Sequence, residues 1–272
     1  MARHPMHPLA PFVAVWRRRH LVAALARRDI AARYRGSAIG VAWSMAQPLA
    51  MLAIYTFVFG VVYRAEWPGG DGSRGGFALA LFAGLLAIGL FSDCVVRAPS
   101  LVVGNPNFVK RVVFPLEILS WVSLGSAAFQ CCVGLIVWCG VRAVLVGPPP
   151  PTALLAPILL APVALLGLGV SWLLAGLAVY VRDVSQLVGV GLAALTFASP
   201  VFFPSRHVPE PFRSVVLLNP LAAPIEMTRD AMLTGALPTA SSLAIAFAVS
   251  FAVAWLGFAF FQLARRGFAD AL

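Results

Sequence analysis

Six long apolar stretches constrain this chain more than any other feature of its sequence. A helix needs about 20 mostly apolar residues to cross the roughly 30 Å hydrocarbon layer of a bilayer. Only the second stretch contains a charged side chain, Asp93, which stands near its end. We therefore predict six transmembrane helices, at residues 39–62, 77–96, 118–140, 153–181, 184–203 and 243–264.

The overall composition agrees with membrane insertion. Hydrophobic residues make up 61% of the 272 positions and charged residues only 11%, whereas soluble domains carry roughly a quarter charged residues. We predict an all-α, multi-pass membrane protein. The fourth stretch is long enough to tilt or kink, and Pro157 and Pro162 lie within it.

The excess of basic residues indicates how the chain is oriented. A formal net charge of +10 could reflect nucleic acid, an anionic membrane surface or membrane topology, and topology is the simplest explanation. With six spans, 14 of the 20 basic residues fall on the side that holds both termini. Since short cytoplasmic loops retain lysine and arginine, both termini should be cytoplasmic, and no nucleic-acid partner is expected.

Two regions are neither spans nor simple turns. Residues 1–36 form an amino-terminal cytoplasmic region, ahead of a transmembrane domain at 37–272. Within it, residues 9–36 favour a helix lying at the membrane surface, although Asp29 projects onto its apolar face. Residues 204–242 are too charged to span and too apolar for a solvated loop, so they predict two short helices that re-enter the outer leaflet.

Several kinds of chemistry find no support in the sequence. There is no GxxxxGK[ST] loop, so energy from ATP would have to come from another polypeptide. HExxH and GxSxG motifs are absent, and the four cysteines show no metal-ligand spacing. No acidic residue lies in the middle of a span, which disfavours an ion-coupled carrier. We predict no metal, cofactor or catalytic residue in this chain.

Several short motifs follow one another along nearly the whole chain. The first is the run from Arg28 to Gly40, followed by Trp43 with Gln47-Pro48 and by the run 55–60. The others are the loop from Asn105-Pro106 to Glu117, Arg182-Asp183, and the run 199–203 with Asn219-Pro220. In this order and spacing they resemble the type-2 ATP-binding-cassette exporter permeases, especially the branch that exports O-antigen, capsule and teichoic acid.

This resemblance implies a bacterial inner-membrane homodimer bound to two copies of a separate ATPase that holds ATP and magnesium. It also implies that the amino-terminal helix and the loop after the second span contact that ATPase, through Arg28, Asp29, Arg33, Tyr34, Asn105, Asn107, Lys110 and Arg111. For Lys110, the only lysine, and for Arg111, two further roles stay open, which are contact with a substrate phosphate and control of topology.

The resemblance implies a lipid-linked polysaccharide as the substrate, with its pyrophosphate bound by arginines at the cytoplasmic entrance. Aromatic rings facing the path would suit the flat faces of sugars. The candidates for the path are Arg35, Trp43, Tyr55, Trp121, Phe202 and Phe203. Two alternatives remain, namely a type-2 permease for a drug or another lipid, and a membrane-embedded enzyme that modifies glycolipids.

Overall fold

The computed structural model describes residue 7 and residues 9–35, 40–64, 67, 74–110 and 114–271. Helices account for most of this part of the chain, and no strand occurs in it. The α-helices are α1 Ala10–Arg17, α2 Arg19–Tyr34, α3 Trp43–Tyr55, α4 Arg74–Arg97, α5 Ser100–Val103, α6 Pro106–Lys110, α7 Ile118–Leu145, α8 Ala156–Leu159, α9 Ala161–Leu177, α10 Val184–Phe197, α11 Glu210–Leu218, α12 Ala222–Leu233, α13 Ala240–Ala264 and α14 Phe268–Ala271.

Within the described residues, five helical segments are long and apolar enough to cross a membrane, which confirms the prediction of an all-α, multi-pass membrane protein. They are Trp43–Val62, Gly75–Arg97, Ile118–Leu145, Pro151–Leu177 and Ala240–Gly267. The first combines α3 with a π-helix at Thr56–Val62. Its predicted start, at residue 39, lies outside the described residues.

The fifth predicted span is shorter than the sequence suggests. Helix α10 ends at Phe197, after 14 residues, because the chain turns at Ser199 and Pro200. The Ser199 hydroxyl donates to the Leu195 carbonyl at 2.6 Å and accepts a bond from the Asn219 side chain at 2.8 Å. Residues 199–203 are therefore turns rather than the last turns of a helix.

Prolines divide the fourth span, as its sequence suggested. It starts as a 3-10 helix at Pro151–Leu155, continues as α8 and breaks at Leu160 before α9. Pro157 and Pro162 lie in the first turns of α8 and α9, where a missing backbone N–H costs least. The helix ends at Leu177, four residues before the predicted end at residue 181.

The core of the molecule surrounds α4, which is buried along most of its length and packs against α7, α9 and α12. A second close contact joins α9 to α13. There a methyl group added to Gly169 would lie 2.6 Å from the Ala254 Cα, so the two backbones touch through glycine.

The segment between α10 and α13 contains the two short helices predicted there, α11 and α12. Helix α12 matches the predicted helix at 223–234 to within one residue at each end. Arg229 on α12 is buried and donates to the Pro200 carbonyl at 2.6 Å, and its guanidinium lies 4.5 Å from the ring of Trp67. These contacts fasten α12 to the turn that ends α10.

Candidate functional site at the membrane surface

The amino-terminal region forms two helices, α1 and α2, separated by a break at Arg18 rather than the single predicted helix. Helix α2 lies against α7, where a methyl group added to Gly125 would be 3.2 Å from the Ala26 Cβ. The glycine therefore allows a close approach between the surface helix and a span. Helix α2 packs on protein at Ala26, although none of its residues is fully buried and Leu21 is exposed.

Asp29 explains why the apolar face of α2 is interrupted. Its Oδ2 accepts from Arg97 Nη1 at 2.6 Å and from the Ser126 hydroxyl at 2.6 Å. Burial alone would raise the pKa of Asp29, but the bonds from Ser126 and Arg97 outweigh it, so the pKa lies below its ordinary value. The carboxylate thus ties α2 to the end of α4 and to α7.

Two further contacts bind the end of α2 to the spans. The Tyr34 hydroxyl donates to the Gln130 side-chain oxygen at 3.1 Å, and the Gln130 amide donates to the Ser44 carbonyl, also at 3.1 Å. Arg33 forms an ion pair with Asp93 across 3.8 Å. Polar side chains therefore connect α2, α3, α4 and α7 at the end of the bundle where α2 lies.

These contacts border a cleft of about 460 Å³ between α2, α3, α4 and α7, which we call the interfacial cleft. One end is polar and the other is apolar. Residues that define it include Arg33, Tyr34, Tyr55, Leu86, Asp93 and Gln130. Its volume falls within the range of roughly 300–1,000 Å³ that small-molecule sites occupy.

The loop between the second and third spans carries the other predicted coupling residues. Asn105 donates to the Leu101 carbonyl at 3.1 Å just before α6, and Asn107 is exposed on α6. Lys110 ends α6, but its side chain lies outside the described part of the structure, as does the whole of Arg111. The ion pairs of Asp29 with Arg97 and of Arg33 with Asp93 form one ionic cluster. The loop leads into α7 beside a second one.

That second cluster centres on Glu117, at the start of α7. Its carboxylate accepts from Arg265 Nη1 at 2.7 Å and lies 3.9 Å from Arg18 Nη1. Arg265 also donates to the Phe114 carbonyl at 3.0 Å. The break between α1 and α2, the loop before α7 and the carboxyl-terminal end of α13 therefore meet at one carboxylate.

The structure brings the predicted coupling residues of α2 to the spans rather than presenting them all outward. Asp29, Arg33 and Tyr34 bond to α4 and α7, while Arg28 is exposed. The partners of these side chains were missed because they lie 60 or more residues away in sequence. Asp93 and Arg97, four residues apart at the end of an apolar span, were the available signal.

The predicted path residues do not form one group. Tyr55 lines the interfacial cleft, whereas Trp121 packs between Phe12 and Trp172, with ring centroids at 5.6 and 6.1 Å. Phe202 stacks on Phe197 across 5.4 Å. The remaining three differ in exposure, since Trp43 and Arg35 are exposed and Phe203 is half-buried.

The apolar spans and the amino-terminal helix bonded to them define a multi-pass membrane protein. The sequence profile described as "ABC-2 type transporter" matches residues 20–233, which include α2 except its first residue and every helix from α3 through α12. The chain belongs to the ABC-2 type transporter family, and so it is a transporter subunit rather than an enzyme.

Curated relatives match almost end to end. The O-antigen export system permease protein RfbA of Klebsiella pneumoniae is 26% identical over 256 residues, which cover 93% of this chain and 95% of the relative. The protein of the same name from Myxococcus xanthus is 28% identical over 259 residues, covering 93% and 96%. The polysialic acid transport protein KpsM of Escherichia coli is 26% identical over 227 residues, covering 82% and 84%.

Proposed function

We propose that this chain is the membrane permease subunit of an ATP-driven exporter that moves a lipid-linked polysaccharide across the bacterial inner membrane. The observation that carries the proposal is the full-length similarity to the O-antigen export permeases, over 93% of this chain. The similarity to a polysialic acid transport protein supports the same substrate class, because both are long bacterial glycans. An undecaprenyl pyrophosphate anchor is part of the proposal.

The proposed topology has six spans and two cytoplasmic termini. The short helix α10 serves as the fifth span, and the turns at 199–203 complete its passage near the outer surface. Helices α11 and α12 are the re-entrant pair, supported by buried Arg229, which bonds to the backbone of Pro200. Residues 1–36 are the cytoplasmic region and residues 37–272 the transmembrane domain.

The working assembly is a homodimer with two copies of a separate ATPase, which would hold ATP and magnesium. The first span and helix α10 support the homodimer, since both leave large apolar side chains uncovered. Phe57 in the first span is 61% exposed, and Val190 and Phe197 on α10 are 72% and 70% exposed. A second copy of the chain would cover part of this surface, and the glycan path would run between the copies.

The predicted coupling residues fall into two groups. Some would touch the ATPase, and the others would transmit the movement of α2 to the spans. Arg28 on α2 and Asn107 on α6 are exposed and would touch the ATPase, as would Lys110 and Arg111 in the same loop. Asp29, Arg33 and Tyr34 would carry the movement of α2 to α4 and α7 through the bonds described above. Asn105 would stiffen the start of α6 through its bond to Leu101.

The proposed glycan path has predicted residues at its cytoplasmic end and at its outer end. Arg35 would bind the substrate's phosphates at the cytoplasmic entrance, as a charged donor of bidentate bonds. Trp43 on α3 would line the path above it, and Phe202 and Phe203 its outer end. Tyr55 lines the interfacial cleft within one chain, so it would support the path from behind α3. Trp121, which packs between two other rings, would support the path rather than touch the glycan.

Reconstitution of the chain with its partner ATPase tests the proposal. Proteoliposomes containing both subunits should move an undecaprenyl-linked glycan in an ATP-dependent manner, and the glycolipid should change the rate of ATP hydrolysis. The matched control is the same vesicle with the permease omitted. Unchanged ATP hydrolysis with every glycolipid tested, together with export of an unrelated drug or lipid, would overturn the proposed substrate.

A further inference from the structure

The interfacial cleft has a polarity gradient along the helices that form it. On α4 it extends from Asp93 to Phe82, which is about 16 Å along the axis at 1.5 Å per residue. Charged and amide side chains, from Arg33, Asp93 and Gln130, lie at the end where α2 rests. Phe82, Leu86 and Tyr55 line the other end.

The length and direction of the cleft match one leaflet of a bilayer. Half of the roughly 30 Å hydrocarbon layer is about 15 Å, and the cleft is polar on the surface side and apolar towards the membrane centre. A hydrocarbon chain lying against α4 would therefore keep its headgroup level with Arg33 and Asp93. A fully polar, water-soluble ligand would leave the apolar half of the interfacial cleft unfilled.

The charges at the polar end indicate which headgroup fits. Arg33 and Asp93 stand 3.8 Å apart, with 30% and 37% of their side chains exposed, so each keeps access to a ligand. The neighbouring Arg97 and Asp29 neutralise each other at 2.6 Å. The four charges sum to zero, so a purely anionic headgroup would gain Arg33 but be repelled by Asp93.

We infer that the interfacial cleft binds one phospholipid with an ammonium headgroup, drawn from the leaflet on the amino-terminal side. Its phosphate would contact Arg33, its ammonium group would contact Asp93, and one acyl chain would lie along Leu86 towards Tyr55. The lipid would fill the space between α3 and α4 while leaving α3 able to move. This role is separate from the proposed export, because the lipid is a component of the membrane and not the cargo.

One glycine in the wall of the cleft provides a sharp test. Gly89 lines the cleft, and a methyl group added there would meet no atom within 4 Å. The Cβ of Gly89→Leu would therefore enter the cleft without touching protein, and the rest of its side chain would occupy the acyl-chain position. Gly140 on α7 also has open space around it but does not line the cleft, so Gly140→Leu is the matched control.

Native mass spectrometry of the full chain, delipidated in mild detergent, measures the binding. Phosphatidylethanolamine, phosphatidylglycerol and undecaprenyl phosphate are each added in turn. We expect phosphatidylethanolamine to bind about fivefold more tightly than phosphatidylglycerol, the scale of one partly exposed ion pair. Gly89→Leu should lose this binding and Gly140→Leu should keep it.

Substitutions at Asp93 and Arg33 test the contacts of the ammonium group and of the phosphate one at a time. Asp93→Asn should abolish the preference for phosphatidylethanolamine over phosphatidylglycerol, and Arg33→Gln should weaken both phospholipids. Equal or tighter binding of phosphatidylglycerol or undecaprenyl phosphate to the unmodified chain would overturn the inference. So would full phosphatidylethanolamine binding by Gly89→Leu.

A second measurement keeps the test decisive if Gly89→Leu fails to fold. A photoactivatable phosphatidylethanolamine, with its reactive group near the end of one acyl chain, is crosslinked to the unmodified chain in vesicles. Labelling should map to the peptides that contain Tyr55 or Leu86. Labelling confined to the exposed faces of α10 and α13 would show that the lipid surrounds the bundle and does not enter the cleft.

Discussion

The α9–α13 pair and the first span differ sharply in how they pack. Helices α9 and α13 touch at their backbones, because a methyl group added to Gly257 would overlap the Gly169 carbonyl. The first span exposes Trp43, Met51 and Phe57 along its length. Close packing through glycine holds two helices in one relative position, whereas an uncovered apolar face is available to lipid or to another subunit.

This difference divides the molecule into a rigid part, packed within the chain, and a part whose apolar surface is available to lipid or to another subunit. Helices α4 and α9 belong to the rigid part, together with the face of α13 that meets α9, since these contacts lie within the chain. Helices α3 and α10 belong to the other. Helix α2 connects the two parts, because its polar side chains bond to α4 and α7 while Gln130 also bonds to the Ser44 carbonyl at the start of α3.

The largest effect should come from breaking the glycine contact. Gly257→Ala forces the backbones of α9 and α13 apart and should lower the free energy of unfolding by about 3 kcal/mol, the upper part of the range for overpacking. Equilibrium unfolding in detergent micelles measures it. Gly189→Ala on α10, where the added methyl group has open space, should stay within about 0.5 kcal/mol. Equal losses in the two variants would refute the contrast.

Removing the charge of Asp29 should have the next largest effect. Asp29→Ala removes the carboxylate that accepts from Arg97 Nη1 and from the Ser126 hydroxyl, leaving them only their weaker bonds to backbone carbonyls, and should cost about 2 kcal/mol. In the reconstituted exporter it should reduce glycan export more than ATP hydrolysis, because α2 would no longer move α4 and α7. The ratio of glycan exported to ATP hydrolysed is the measurement.

A matched control and a charge exchange separate coupling from misfolding in the Asp29 experiment. Arg27→Ala, at an exposed position on the same helix, should leave both rates unchanged. The exchange Asp29→Arg with Arg97→Asp should recover part of the lost export. Wild-type coupling in Asp29→Ala would contradict the transmission role of α2.

The uncovered face of α10 provides a smaller test. Val190→Trp adds bulk at a position that is 72% exposed, so the stability of the single chain should change by less than about 0.5 kcal/mol. The homodimer should weaken about tenfold, which corresponds to about 1.4 kcal/mol. Crosslinking in membranes measures the dimer fraction. Ile245→Trp, on the 63% exposed face of α13, is the control and should dimerise normally.

The smallest effect concerns pH. The pKa of Asp29 is lowered in the folded chain, mainly because bonds from Ser126 and Arg97 outweigh the cost of burial. Its contribution to stability is therefore complete above the unfolded pKa of about 3.9 and is lost as pH falls through the lower, folded value. Since 34% of the side chain is exposed, the loss should be under about 1 kcal/mol.

Comparison with Asp29→Asn isolates this contribution. The stability difference between the unmodified chain and the variant should be constant from about pH 5 to pH 8, above the ordinary carboxyl range, and should shrink in more acidic solution. A difference that grows as the pH falls would mean that the carboxylate is destabilising in the folded chain.

Local sequence predicted well those features that depend on neighbouring residues. The apolar stretches identified every long span, and a helix predicted at 223–234 is found at Ala222–Leu233. Predictions failed where a distant contact decides the local structure. The fifth span was expected to reach residue 203, but α10 ends at Phe197 and the chain turns at Ser199 and Pro200, where Asn219 donates to the Ser199 hydroxyl.

The site was only partly predictable for the same reason. Asp29, Arg33 and Tyr34 were identified as important on α2, yet their partners Arg97, Asp93 and Gln130 were not, because those lie on α4 and α7. The meeting of Arg18, Glu117 and Arg265 was also missed. Opposite charges far apart in sequence give no local pattern, so only the fold pairs them.

A bilayer requires long uncharged runs, so the membrane class, the number of apolar stretches and the regions outside them follow from the order of residues alone. The tertiary structure decided which backbones touch, where α10 ends and which charges pair. It also created the interfacial cleft, whose walls come from four helices. The physical reason is that burial and ion pairing depend on distances between segments, whereas insertion into a bilayer depends on each segment alone.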